Sequence, residues 1–453
     1  MPRTKKVLNS SSLRSSASGS VLNVDHKDRS VIIGRRLDAE NSAIGYLGKV
    51  CEQSSGTSLL DYSVWLDLAF PHVIGIFGTR GSGKSFDLGA IIEFLSGSPD
   101  ITSGDIPSTS SIVFDIQNQF WTLGLQPDPE LAEDSLHLET LEKWGLKPGY
   151  IEDLKLWLPS GNESTLDTSE FSLSPDQLTS EDWLGLLEIE TYSPMGQAML
   201  TLLDSYPNLE PRGLADRAIP GADLVSFQES SIDGLRWRLE SLAETHVIGD
   251  QGVNIDELLV RGRVSVLLLR DVPDSLKSLI VGVIARLVSQ RMGAFHQSRR
   301  IARRQRLPQE STSLPTRVSL VIDEAHVVVP ANGTTPASAP IVDYVKRGRD
   351  AGLSLIFATQ RPSAVETSLM SQVDLTLTHS LGFEADLNAA IQRMPTRTSF
   401  QYESGGTTLS NLAEVARSIS PGQAIIADAA SARAFVVQIR PRVTAHGGNA
   451  PDF

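Results

Sequence analysis

The residues from Gly78 to Ser85 have the types and spacing of a loop that binds nucleotide phosphates. The run reads Gly78-Thr79-Arg80-Gly81-Ser82-Gly83-Lys84-Ser85, which is the G-x-x-x-x-G-K-[ST] pattern. Its glycines let successive backbone N–H groups point at phosphate oxygens. Lys84 is predicted to contact the β- and γ-phosphates and the Ser85 hydroxyl to bind Mg²⁺, and the nucleotide site extends to Phe86. The predicted cofactors are ATP and Mg²⁺.

The context of this loop favours a nucleotide site over a chance match in a glycine-rich turn. The apolar run Val73–Phe77 precedes it and predicts a buried parallel strand. The segment from Lys84 to about Leu95 predicts a helix whose N-terminus adds a positive dipole end at the phosphates. A strand, a glycine loop and a helix in this order indicate an ATPase core.

A second motif far along the chain supplies two carboxylates. Residues 317–322 are β-branched and apolar, and Asp323 and Glu324 follow them directly. This is the form of a Walker B element, in which Asp323 would hold Mg²⁺ through water and Glu324 would deprotonate the attacking water. The alternative is a strand that ends in a helix cap provided by Asp323.

Three further polar residues are candidates for the reaction. Gln360 ends the apolar run Leu353–Thr359 and is predicted to sense the γ-phosphate from a strand between the two Walker strands; a simple hydrogen bond at a strand end is the alternative. Arg347 and Arg349 have no obvious partner except Asp350. Either could act as an arginine finger on a neighbouring subunit's nucleotide, or could lie at a solvated helix end.

The composition restricts the class of protein. The 453 residues are 40% hydrophobic, enough for a substantial core in two or three domains. The one cysteine, Cys51, allows no intrachain disulfide. No apolar run approaches the ~18–20 residues that span a bilayer. We therefore expect a soluble cytoplasmic protein without membrane contact.

The net charge of −14 seems to exclude a nucleic-acid partner until its distribution is considered. Residues 123–210 contain 18 Asp and Glu but only 3 Lys and Arg, so this segment alone carries −15. The remainder of the chain is close to neutral and can carry local basic patches. One such patch is the arginine-rich stretch from Arg299 to Arg306.

The order of elements predicts an α/β fold, because apolar strands alternate with helical segments. We expect a RecA-like, additional-strand P-loop ATPase core with a small N-terminal β element and an acidic helical insertion. The predicted boundaries are a disordered tail at 1–30, the β element at 31–69, the core at 70–121 and 223–445, the insertion at 122–222, and a short tail at 446–453.

Taken together, these stretches resemble the HerA branch of the FtsK/HerA superfamily of DNA-pumping ATPases. The matching runs are Leu66–His72 leading into the phosphate loop, Ile322–His326, Arg347–Gly352 leading into Thr359–Ser363, Pro421–Ile426 and Val436–Arg442. The resemblance covers most of residues 64–442. The Arg-Gly-Arg run combined with Thr-Gln-Arg-Pro-Ser is its most discriminating part.

The resemblance implies a hexameric ring with ATP sites between subunits and double-stranded DNA in a central channel. It favours Arg349, then Arg347, as the trans-acting finger, and a separate nuclease or antiviral defence effector as partner. Two features depart from the family. The N-terminal barrel is shortened to about 31–69, and the second-strand motif reads Asp115-Ile116-Gln117-Asn118, so no role for that loop carries over.

Two other functions remain open from the sequence. Asp323-Glu324-Ala325-His326 also matches the DEAH box of superfamily 2 helicases. Two observations disfavour it: Lys84 and Asp323 are 239 positions apart, and only about 90 residues follow Gln360, too few for a second complete lobe. A nucleotide-gated scaffold that recruits an effector is the other alternative, and stimulation of ATP hydrolysis by DNA would separate it from a motor.

Overall fold

The computed structural model describes residues 23–34, 43–51, 59–104, 108–308, 313–394, 402–404, 407–409 and 411–447. The predicted tails at 1–30 and 446–453 lie largely outside these residues. The strands are β1 Asn23–Asp25, β2 Ser30–Ile33, β3 Ile44–Val50, β4 Ser63–Asp67, β5 Val73–Phe77, β6 Thr102–Ser103, β7 Thr109–Asp115, β8 Leu154–Pro159, β9 Ser169–Phe171, β10 Val264–Leu268, β11 Arg317–Ile322, β12 Leu353–Thr359, β13 Leu375–Thr378, β14 Tyr402–Ser404, β15 Thr407–Leu409, β16 Gln423–Asp428 and β17 Arg433–Ile439.

The helices connect these strands and cover both faces of the sheet. They are α1 Lys84–Leu95, α2 Ser135–Trp144, α3 Ser180–Leu186, α4 Pro194–Ser205, α5 Pro211–Arg217, α6 Glu229–Ala243, α7 Ile255–Leu258, α8 Asp274–Gln305, α9 Ala325–Val328, α10 Ser338–Ala351, α11 Thr367–Met370, α12 Glu384–Ile391 and α13 Leu412–Ser418.

One large sheet contains fifteen of these strands. Its order is β1-β2-β4-β3-β17-β16-β13-β5-β12-β11-β7-β10-β8-β9, with β6 paired to β3. The pairs from β13–β5 through β10–β8 are all parallel. The predicted α/β fold is confirmed, and β12 lies between β5 and β11 as the additional-strand arrangement requires.

The core lies on both faces of the central strands. Along β11, Leu320 and Ile322 point into the cluster that packs against α8 and α10, whereas Val321 points into the cluster on the α1 side. This alternation follows from the two-residue period of a strand. Because both faces are covered, the strand sequences are apolar throughout, as parallel strands require.

The segment predicted as a helical insertion at 122–222 also contains two strands. β8 pairs in parallel with β10, and β9 pairs with β8, so the insertion extends the central sheet at one edge. The run Leu154-Lys155-Leu156-Trp157-Leu158 alternates in polarity over only a few residues. Within an acidic segment that was predicted to be helical, this pattern was too short to indicate a strand. Helical packing also continues past 222, through α6.

Helix α8 qualifies the expectation that no segment is apolar enough to span a bilayer. It has 32 residues, and its most apolar 18-residue window has a mean hydropathy of 1.3. Of that window, 67% is buried inside the molecule, as in a core helix. The helix packs mainly against α10, over the face of the sheet opposite α1.

A buried ionic network ties the end of the described chain to α1. Glu93, on the last turn of α1, accepts hydrogen bonds from Arg440 Nη1 at 2.7 Å and from the Thr444 backbone N–H at 2.9 Å. Arg440 also donates to the carbonyls of Tyr46 and Ala90. Glu93 and Arg440 are both fully buried. The helix that carries Lys84 is therefore held by residues about 350 positions away in sequence.

Glu93→Ala should destabilise the fold by about 3–5 kcal/mol, because it leaves the Arg440 guanidinium buried without its counter-ion. Urea unfolding measures the change. The matched control is Glu139→Ala, which breaks the exposed Lys143–Glu139 pair and should leave the unfolding midpoint almost unchanged. Equal midpoints for the two variants would contradict the role assigned to the network.

Candidate nucleotide site

The glycine loop connects the end of β5 to the start of α1. Gly81 (φ +76°) and Gly83 (φ +116°) adopt left-handed backbone conformations that side chains disfavour. Gly78 has no free space, because an added Cβ would lie 2.4 Å from Ser82 Oγ and 2.7 Å from His379 Cβ. The loop is therefore already curled, and the N-terminus of α1 opens into it.

Lys84 lies folded back over this loop. Its Nζ donates to the Thr79 carbonyl at 3.0 Å, and only 5% of the residue is exposed. Burial lowers the pKa of Lys84, while the nearby Glu324, Asp323 and Asp87 carboxylates oppose that shift. An incoming phosphate would replace the carbonyl as the partner of this ammonium group.

Asp323 follows β11 at the same edge of the sheet and is almost fully buried. Neither carboxylate oxygen accepts a hydrogen bond from the described residues. Burial raises the pKa of Asp323 to about 7; the neighbouring Glu324 and Asp115 add to the shift and Lys84 opposes it. A buried carboxylate without donors is costly unless a cation neutralises it. Its oxygens, with the Ser85 hydroxyl, are the donor types that Mg²⁺ takes.

Among the residues that the structure describes, no group of three or more His, Cys, Asp or Glu side chains is placed to hold a metal ion by itself. A cation beside Asp323 would therefore take part of its coordination from phosphate oxygens and water, which is the usual arrangement for Mg²⁺ bound with a nucleotide.

Glu324 has an unusual backbone conformation, with φ 55° and ψ 54°. Its Oε1 accepts hydrogen bonds from the Nε2 groups of Gln360 and Gln117, the latter at 3.2 Å. Its Oε2 lies 3.4 Å from the Gln360 backbone nitrogen. Gln360 directly follows β12, which lies between the two Walker strands as expected, and it contacts Glu324. Its contact with a γ-phosphate stays a prediction.

The structure separates Arg347 and Arg349 from this site. Both are exposed at the end of α10, and neither forms an ion pair with a described residue. The neighbouring Asp350 pairs with Arg300, with Oδ1 3.9 Å from Nη1. Helix α10 ends where β12 begins, which is the edge of the sheet opposite the glycine loop. With the seven residues of β12 in between, roughly 20 Å of strand separates this end from Gln360.

The remaining predicted residues lie around the loop with different exposure. Arg80 is exposed, and Thr79 and Ser85 are partly buried. The Phe86 ring stacks on His446, with centroids 5.5 Å apart, so this side chain faces the C-terminal segment. Phe86 can therefore contribute its backbone N–H, which is among those that a helix leaves free in its first turn.

Three site residues were missed by the sequence reasoning. His379 is buried against the loop, and its Nε2 lies 2.8 Å from Asp87 Oδ2. The two residues are 292 positions apart, so no local sequence pattern predicts this contact. Gln117 belongs to a loop for which no role was expected. Arg361 is exposed beside Gln360. Its position within the Thr-Gln-Arg-Pro-Ser run was an available signal. It is a further exposed cation close in sequence to the motifs, besides Arg347 and Arg349.

Comparisons with known proteins find similarity at the level of family and of fold. A family model described as "Helicase HerA, central domain" matches residues 46–288, more than half of the chain. VirB4 of Thermoanaerobacter pseudethanolicus superposes with a TM-score of 0.50 at 15% identity, covering 87% of this chain and 96% of VirB4, which shows a shared fold. The plasmid coupling protein TrwB, solved with ADP and Mg²⁺, gives 0.49 at 14%, covering 82% and 86%. No curated protein sequence matches significantly.

Gly78→Ala should abolish nucleotide binding, because the new Cβ would displace His379 or the loop itself. Gly81→Ala should weaken binding less, since the position is open and only the left-handed backbone costs about 1–2 kcal/mol. Gly382→Ala is the control, because its Cβ meets nothing within 4 Å. Binding of a fluorescent ATP analogue measures the three variants. Equal affinity for Gly78→Ala and Gly382→Ala would contradict the steric argument.

Proposed function

The chain belongs to the HerA central-domain family of P-loop ATPases, and from that premise we propose that it is a DNA-translocating motor that works as a homo-oligomeric ring of six. ATP, bound with Mg²⁺, is hydrolysed at the interfaces between subunits. Double-stranded DNA passes through the ring and is gripped by its phosphates, with little sequence preference.

The residues of one subunit supply most of the proposed reaction. The glycine loop binds the phosphates, Lys84 contacts the β- and γ-phosphates, and Gln360 senses the γ-phosphate. Glu324 accepts the proton of the attacking water. Mg²⁺ held by Ser85 and Asp323 would neutralise the phosphate charge. Phosphoryl transfer needs positioning and charge stabilisation rather than covalent chemistry, and these groups supply the part of both that comes from one subunit.

The observation that carries the ring is the distance of Arg347 and Arg349 from their own glycine loop. Both are exposed cations at the opposite edge of the sheet, where they cannot reach the γ-phosphate of the same subunit. A repeated head-to-tail interface would place them against the next subunit's nucleotide, and six such interfaces close a ring. We assign the finger to Arg349 first and Arg347 second.

The exposed end of α8 supports contact with nucleic acid. Arg303, Arg304 and Arg306 are exposed there, while Arg300 lies near Asp350. Phosphate contacts by such side chains give affinity without sequence preference. The acidic segment at 123–210 repels DNA, so it would face away from the channel.

The partner is a further part of the proposal and rests on family likeness. We propose that DNA handled by the ring is passed to a separate nuclease or effector protein, in antiviral defence or a related process. The proposed location is the cytoplasm, away from the membrane. The proposed location accords with a chain that has one cysteine and a buried apolar helix.

Duplex DNA should stimulate ATP hydrolysis in the presence of Mg²⁺, and the stimulation should fall as salt rises from ~50 to ~200 mM. Replacing Arg303 and Arg304 by Ala should weaken binding and reduce the salt slope by about 2. The charge-matched control replaces Arg212 and Arg236, two arginines in the helical region around the insertion, by Ala. It should change neither DNA binding nor the salt slope. No stimulation even at ~50 mM salt would favour the nucleotide-gated scaffold.

Mixing an Arg349→Ala chain with a Lys84→Ala chain should restore part of the ATPase activity, because each mutant supplies at a shared interface the group that the other lacks. The control mixes Glu324→Gln with Lys84→Ala. Both residues act on the nucleotide of their own subunit, so no subunit of this mixture has a complete site and the mixture should stay inactive. Phosphate release measures activity and mass photometry measures assembly. Inactive Arg349→Ala mixtures that assemble normally would exclude the trans finger.

A further inference from the structure

The Glu324 carboxylate is surrounded by donors in this structure. A carboxylate offers about four lone-pair positions on its two oxygens. Oε1 accepts from the side-chain amides of Gln117 and Gln360. Oε2 lies 3.4 Å from the Gln360 backbone nitrogen and 3.3 Å from His326 Nδ1. The residue is only 5% exposed. Three hydrogen bonds are donated to the carboxylate, and they compete with the water that a general base must activate.

The arrangement also occupies Gln360. Its side-chain Nε2 donates to Glu324, so the amide is held toward the carboxylate. The base and the sensor therefore hold each other in a resting geometry, and loss of a hydrogen bond to Glu324 would free the carboxylate for the attacking water. His326 Nδ1 also lies 3.1 Å from Thr359 Oγ1, so Thr359 and Glu324 compete for this one ring nitrogen.

Gln117 differs from the other groups around Glu324 because it is exposed and lies on the loop after β7, rather than on β11, β12 or the turns that follow them. The loop wraps Asp115, whose carboxylate accepts the backbone N–H groups of Gln119 at 3.0 Å and Phe120 at 2.8 Å. Asn118 adopts a left-handed conformation at φ 59°. This turn presents Gln117 to Glu324 on one side and to solvent on the other.

We propose that Gln117 is a positioning residue that holds Glu324 in the resting geometry, and that binding of DNA to the ring releases it. Release of Gln117 by DNA rests on the proposed motor function, whereas the restraint, the hydrogen bond from Gln117 to Glu324, lies within one subunit. Because Gln117 is exposed at the edge of the sheet where the nucleotide binds, a ligand or neighbouring subunit can displace it without opening the core.

Gln117→Ala should raise the DNA-free kcat about 10-fold, which corresponds to the loss of one hydrogen bond to a charged group. KM for ATP should be unchanged, because the glycine loop is untouched. The rate at saturating DNA should also be unchanged, so the stimulation ratio falls by the same factor. Gln119→Ala is the matched control, since it removes the same amide from the same loop without a hydrogen bond to Glu324.

A double-mutant cycle separates restraint from a general structural effect. In a Glu324→Gln background, Gln117→Ala should not raise the DNA-free rate, because the residue acts through the Glu324 carboxylate. A DNA-free kcat that falls or does not change on Gln117→Ala overturns the inference, as does an equal rise in the Glu324→Gln background. If DNA fails to stimulate the parent chain, the motor proposal fails, while the DNA-free rates still decide the restraint.

Discussion

The parallel pairing of β12 between β5 and β11 is the constraint on which the nucleotide site depends. Thr359 is paired with Phe77, and Phe357 with Ile322. Because parallel strands end at the same edge, this register places Gln360 beside both the glycine loop and the two carboxylates. A slip of one residue would turn the Gln360 side chain to the opposite face of the sheet.

The same edge collects more negative than positive charge. Asp323, Glu324 and Asp87 lie near one ammonium group, that of Lys84, and Asp115 lies near Asp323. All five residues are buried. Burial raises the pKa of Asp115 to about 6 as well, although backbone N–H groups of its own loop oppose the shift. The fold maintains this imbalance at a cost in stability, as sites that bind cations and perform proton transfer commonly do.

Local strain at the site is offset by tertiary contacts. The left-handed conformation of Glu324 costs about 1–2 kcal/mol for a residue with a Cβ. Hydrogen bonds from Gln360 and Gln117 oppose that cost. On the other side of the loop, the buried Glu93–Arg440 pair fixes α1 and hence the position of Lys84. Strained backbone therefore persists where surrounding contacts determine it, which is typical of functional sites.

The sequence by itself determined the loop Gly78–Ser85, the carboxylates Asp323 and Glu324, and the α/β class. These follow from local spacing and from apolar runs, which are encoded in neighbouring residues. The place of β12 between the Walker strands was expected only from the likeness of the motifs to those of additional-strand ATPases. Only the tertiary structure decided that Gln117 contacts Glu324, that His379 supports the loop, and that Arg349 lies at the far edge. β8 is intermediate, because its pattern is local but too short to distinguish from its helical surroundings. Contacts between residues some 200 to 350 positions apart depend on strand order and register, and no local pattern specifies these.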